Sequence, residues 1–166
     1  MSGVSARALD VVGTVVRLGL AAVWLVAGGL KAADPAQTYL AVQAYQVLPG
    51  GVVSSVAAVL PFVEIGLGLV VLAGVGTRLA AALSGLLLVV FMAGVAQVWA
   101  RGLTIDCGCF GGGGQVAADR TAYGLELARD TGFLLLAGWL LIRPGSYLGL
   151  DRALVRGGPV AVDASQ

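Results

Sequence analysis

Four long apolar runs constrain this chain more than any other feature. The first extends from Val11 to Leu30 and is broken only by Arg17; the second covers Val52 to Val75 and holds Pro61 and Glu64. The third runs from Leu79 to Ala100. The fourth, Thr131 to Ile142, reaches a spanning length only when it is extended back to Ala122 as a helix. A membrane-crossing helix takes about 20 residues. Backbone polar groups in lipid must be satisfied within the protein, so spans are helices or closed barrels, and continuous rather than alternating runs select helices. Composition agrees: of 166 residues, 58% are hydrophobic and 11% charged, and the mean hydropathy is +0.94. A water-soluble or disordered chain needs far more polar surface. A formal charge of +1 leaves no basic face for nucleic acid.

The expected fold is all-α: an integral membrane antiparallel four-helix bundle. Its first run is read as a retained helix rather than a cleaved signal, because about 20 apolar residues with an internal Arg is atypical of a signal h-region. Pro35 to Gly50 carries Tyr39 and Tyr45 among glutamines, which suits a short interfacial helix ended by Pro49-Gly50-Gly51. Gly66, Gly68, Gly74, Gly85, Ala93 and Gly94 permit close helix packing. Residues 1–145 form one four-span domain, and residues 146–166 are a cytoplasmic tail without a fold of its own. An even span count places both termini on one side, with Arg7, Arg78, Arg143, Arg152 and Arg156 against Lys31, Arg101, Arg120 and Arg129 on the other. That slight bias places the termini in the cytoplasm and the loop after the third span outside, in a multi-pass protein of the cell membrane.

The chain has no histidine and only two cysteines, Cys107 and Cys109. Histidine-based triads, haem ligation and the common zinc sites are excluded. Both thiols lie in the loop Asp106-Cys107-Gly108-Cys109-Phe110-Gly111, followed by three more glycines. A disulfide across a single residue closes only in some backbone conformations, and Gly108 widens the choice. Such a ring removes almost no chain entropy, so it is a poor staple and a good exchanging bond. A soft-metal site and two inert buried thiols are the competing readings; two thiolates are few for a closed metal site, so no metal is assigned.

The same loop resembles the signature of the MauE branch of the DoxX-like membrane proteins. Arg17-Leu18, Ala27-Gly28-Gly29-Leu30-Lys31, Pro61 with Glu64 and Gly68, and Arg129-Asp130 fit the likeness, which covers about residues 10 to 143. The resemblance implies a four-helix membrane protein tied to thiol redox chemistry, to a thioredoxin-like partner and to disulfide maturation of methylamine dehydrogenase. The expected function is disulfide exchange through Cys107 and Cys109, with Cys109 resolving the mixed disulfide. The alternatives are a non-enzymatic assembly or anchoring subunit, and a subunit of a quinone-linked oxidoreductase with quinone as candidate cofactor. No second cysteine pair exists to pass electrons across the bilayer.

Charges inside the runs complete the reading. Arg17 lies about 9 Å and Glu64 about 15 Å from the cytoplasmic ends of their helices. Lone charges at such depths are costly, so the two are expected to pair, or Glu64 to relay protons for the thiols. Lys31 is expected to snorkel to the interface. Arg129 is expected either to favour the thiolate or to pair with Glu126.

Overall fold

The computed structural model describes residues 2–145, with side chains from Arg7 onward. The tail assigned to residues 146–166 lies outside the described residues. Five helices follow one another: α1 (Ser2–Ala33), α2 (Pro35–Ala44), α3 (Gly50–Ala73), α4 (Thr77–Ala100) and α5 (Tyr123–Ile142). Between α4 and α5 lie two short strands, β1 (Ile105–Asp106) and β2 (Gly114–Gln115), and a 3-10 turn at Ala118–Arg120.

The helices start and stop where local chemistry requires. Asp34 caps α2 by accepting from the Gln37 N–H at 3.0 Å, and Pro35 occupies the first turn, where its missing N–H costs nothing. The α2 segment is shorter than expected. The chain leaves the helix at Tyr45, and Pro49 begins α3 rather than ending α2, with Gly50 and Gly51 already helical. Proline lacks only a donor that the start of a helix leaves unpaired. Gly74 ends α3 in the left-handed conformation, and Thr77 opens α4 three residues later. Gly74 thus shapes the turn after α3, and Gly68 meets Leu25 of α1 as the packing argument expects.

The α1, α3 and α4 helices are long and apolar enough to cross a membrane. Each of α3 and α4 has 24 residues, about 36 Å of helix against a hydrocarbon core of about 30 Å. Helix α1 packs on α3, α3 on α4, α4 on α5, and α5 returns to α1. Helix α1 approaches α3 closely at Gly28, where a Cβ would stand 2.8 Å from the Pro61 carbonyl oxygen. Only a glycine permits that separation. Trp24, Leu20, Val71, Leu88 and Leu140 fill the interior, and the Trp24 indole N–H donates to Ser84 Oγ at 3.0 Å. Phe62, Leu79, Leu86 and Leu135 turn outward, each more than 60% exposed. Large apolar side chains on the outside of apolar helices fit a lipid surround. Gly145, just after α5, lies beside Asp10 of α1. The start of α1 and the end of α5 thus share one end, while α2 and the cysteine loop occupy the other.

Candidate functional site

Site geometry begins with the short ladder β1–β2, in which Ile105 faces Gln115 and Asp106 faces Gly114. This pairing folds the glycine-rich segment back over Cys107 and Cys109. Three side chains, one from α5, one from α2 and one from the residue that caps α2, hold it there. The Tyr123 hydroxyl of α5 donates to Leu103 O at 2.6 Å and accepts from the Ile105 N–H at 2.8 Å. The Tyr45 hydroxyl donates to Cys107 O at 2.9 Å. The Gln37 amide of α2 donates to Gly113 O. Tyr45 is thus turned inward onto the loop. Burial, then the neighbouring cysteines, push its phenol above the ordinary range, so it remains a donor.

The loop rests on α2 at two glycines, Gly108 and Gly113, each of whose Cβ would crowd the Ala41 Cβ. Gly108 has a φ of +68°, and its Cβ would lie 2.7 Å from that atom. Both the left-handed backbone and the close approach require glycine. The Gly108 N–H donates to Asp106 Oδ1 at 3.2 Å, so the acid ahead of the pair fixes the turn between the thiols.

Cys107 and Cys109 are both free thiols; Cys107 is 8% exposed and Cys109 is half-buried. The Cys109 N–H points at Cys107 Sγ, 3.4 Å away. The Cys109 thiol also donates to Cys107, which holds the Cys107 thiol below the ordinary range despite its burial. Giving up that donated proton is correspondingly hard, and Cys109 is raised. One sulfur is therefore prepared as thiolate and the other as thiol.

The charged residues are arranged differently from the sequence expectation. Glu64 is fully buried, and its partner is Lys31, whose Nζ lies 2.9 Å from both carboxylate oxygens. Lys31 also donates to Cys109 O at 2.9 Å. It is 6% exposed and does not snorkel, because the carboxylate and the carbonyl together satisfy its ammonium inside the protein. Arg17 is buried in α1, 14 residues before Lys31, a separation of about 21 Å along the helix. Glu64 therefore ties α3 to the end of α1 that carries the cysteine loop. Lys31, Gln37, Tyr45 and Tyr123 are the site residues that sequence reasoning missed. Lys31 was legible as a cation near a helix end but not as part of an internal pair.

Arg129 pairs with its neighbour Asp130, at 3.0 Å, rather than with Glu126. Its guanidinium stacks over Phe110 at 4.7 Å from the ring centroid, and Phe110 meets Phe133 edge-on. Both Glu126 and Arg129 reach the Cys107 thiol. Asp106, Cys107 and Glu126 bring one ligand atom each within 4.8 Å of one another. One thiolate and two carboxylates could hold a divalent ion, with zinc better suited than copper.

Apolar outward faces on long helices, with a cysteine pair enclosed at one end, define a helical membrane protein with a buried thiol site. The chain belongs to the MauE family, described as methylamine utilisation protein MauE, whose model matches residues 9–143. No curated protein and no solved structure matches the chain.

Proposed function

We propose that this protein exchanges disulfides at the membrane through Cys107 and Cys109 with a thioredoxin-like partner, in support of disulfide maturation of extracytoplasmic proteins. The observation that carries this reading is the pairing of the two thiols, with Cys109 donating to a Cys107 sulfur already disposed to lose its proton. A thiolate and a thiol in contact are the arrangement that exchange needs. The family's link to methylamine utilisation is consistent with a maturation role. In this reading α5 is the fourth span of an antiparallel four-helix bundle. Its outward Leu125, Leu135 and Ile142, each at least 70% exposed, support that placement. Residues 1–145 form the membrane domain, the termini are cytoplasmic and the cysteine loop is extracytoplasmic.

Burial divides the roles of the sulfurs. Cys109, the less buried, is the one a partner protein meets. Cys107, enclosed and acidified, is the better leaving group and the returning nucleophile. This reverses the order expected from position in the loop. In one direction a partner thiolate attacks Cys109 of the closed ring, a mixed disulfide forms and Cys107 leaves as thiolate. A second partner thiol then attacks the mixed disulfide, closing the partner's disulfide and releasing Cys109.

Cys107→Ser tests the reading. Without Cys107 to resolve it, Cys109 should stay bonded to the partner and run as a larger band that collapses with reductant. Cys109→Ser should trap far less. If neither single variant traps a partner and the double variant retains function in cells, the exchange reading fails and an assembly or anchoring role replaces it.

A further inference from the structure

Two thiols alone are few for a metal site, and the chain has no histidine to complete one. The fold supplies other donors. Asp106 stands beside Cys107 in the loop, and Glu126 comes from the first turn of α5. One oxygen of each carboxylate and the Cys107 Sγ all lie within 4.8 Å of one another. Zinc takes sulfur at about 2.3 Å and carboxylate oxygen at about 2.0–2.2 Å, so its tetrahedral ligands stand about 3.4–3.6 Å apart. The three atoms are therefore gathered to within a side-chain rotation of a shared ion. Two further observations point to a cation. Glu126 Oε2 is shut off from solvent and has no hydrogen-bond partner. One turn on along α5, Asp130 is 3% exposed and leaves its Oδ2 in the same state, close enough to Cys109 for its charge to be felt there. A buried carboxylate oxygen with neither donor nor cation is costly. The charges are also out of balance. Among the described residues Arg129 gives its ion pair to Asp130 and Lys31 gives its own to Glu64, while Asp106 and Glu126 form none. One guanidinium thus faces three carboxylates and the Cys107 sulfur, an excess that a divalent ion offsets.

We propose that Asp106, Cys107 and Glu126 bind a zinc ion in the reduced protein, with water as the fourth ligand. One thiolate among two carboxylates selects a borderline ion: magnesium and calcium take oxygen alone, and copper(I) takes softer sets. The metal ligand is the thiolate, so holding zinc and closing the Cys107–Cys109 ring exclude each other. Zinc then guards the reduced pair until a disulfide arrives, a role that rests on the exchange reading above. When a partner disulfide oxidises the zinc-bound pair, the Cys107–Cys109 bond forms and the partner's S–S bond breaks. The partner takes two electrons, the Cys109 proton and one proton from water, leaving as a dithiol, and the ion is released.

The test uses the full reduced chain in detergent micelles, stripped with a chelator and titrated with zinc or cobalt(II) alone. One zinc should bind per chain, and cobalt(II) should give a thiolate-to-metal charge-transfer band in the near ultraviolet. Cys107→Ser and the disulfide form should both lose that band. Glu126→Gln and Asp106→Asn, which keep side-chain size, should each weaken zinc at least tenfold in competition with a chromogenic chelator. Either one decides the matter should the other fail to fold. Asp119→Asn, at an exposed acid outside the cluster, should bind zinc as the native chain does. Failure to bind one equivalent, a charge-transfer band that survives Cys107→Ser, or native affinity in the carboxylate variants would each overturn the proposal; the last result would mean an adventitious ion only. If zinc fails while Cys107→Ser still traps a partner, the exchange reading stands without a metal. If zinc binds as expected and no variant traps a partner, the metal site stands and the exchange reading falls.

Discussion

Lys31 is the residue on which the site depends most directly, because one ammonium holds both a buried carboxylate and the backbone of Cys109. Removing one member of a buried pair strands the other and costs about 3 kcal/mol or more. Glu64→Gln and Lys31→Met should each lower thermal stability in detergent, and the double variant should lose less than the sum. Strict additivity would show that the pair is not coupled. Lys31→Met should in addition speed alkylation of Cys109, since the carbonyl loses its donor; Glu64→Gln should do so less. Cys107 gives a pH prediction. Its thiol is depressed by the Cys109 donor, so the stabilisation is present above the ordinary thiol range, about 8.5, and is lost as pH falls through the lowered value. The alkylation rate of Cys107 should therefore rise with pH through a midpoint below about 8.5. Cys109→Ala removes the donor and should move that midpoint upward. An unchanged midpoint would show that Cys109 does not set the acidity of Cys107.

The loop depends on α2 as an element. Helix α2 is buried at Thr38, Ala41 and Ala44, and Ala41 is the floor on which Gly108 rests. Gly108→Ala adds a methyl against the Ala41 Cβ and places a non-glycine residue at a φ of +68°, a backbone cost of about 1–2 kcal/mol before any clash. The variant should expose Cys107 to alkylating reagents several-fold more than the native loop. Ala41→Gly in the same chain should restore only the steric part. Full restoration would mean that the backbone conformation carries no cost. The sequence made the existence of α2 legible through Asp34-Pro35, a cap followed by a first-turn proline. Its role was hidden. Tyr45 looked like an interfacial aromatic because its contact, the carbonyl of Cys107, is 62 residues away. Pairings at such separations leave no mark in local periodicity, and the same is true of Lys31 with Glu64.

At the scale of the molecule, the helices were legible because long apolar runs carry both length and burial information. The breaks at Gly74–Gly76 and after Ala100 fall where glycine and arginine interrupt them. Which buried charges meet was not legible, since depth along antiparallel helices allows several partners and packing at Gly28 decides which two faces touch. The chain's organisation around two ends yields the last prediction. The cysteine loop, α2 and the start of α5 share one end; the start of α1, the α3–α4 turn and the end of α5 share the other. With α5 as a fourth span, any reagent that cannot cross the bilayer sees one end or the other, never both. The arginines of residues 143–156 favour retention of the second end in the cytoplasm. In intact cells, after mild reduction, a membrane-impermeant thiol reagent should label Cys109, the more accessible sulfur, and label Cys107 slowly. A cysteine introduced at Val75, an exposed position in the α3–α4 turn, should be reached only after the membrane is opened. If the reagent reaches Val75→Cys first and the loop only in opened cells, the orientation is inverted and the exchange partner must be sought on the cytoplasmic side. If both ends label in intact cells, α5 does not cross and the four-span arrangement fails.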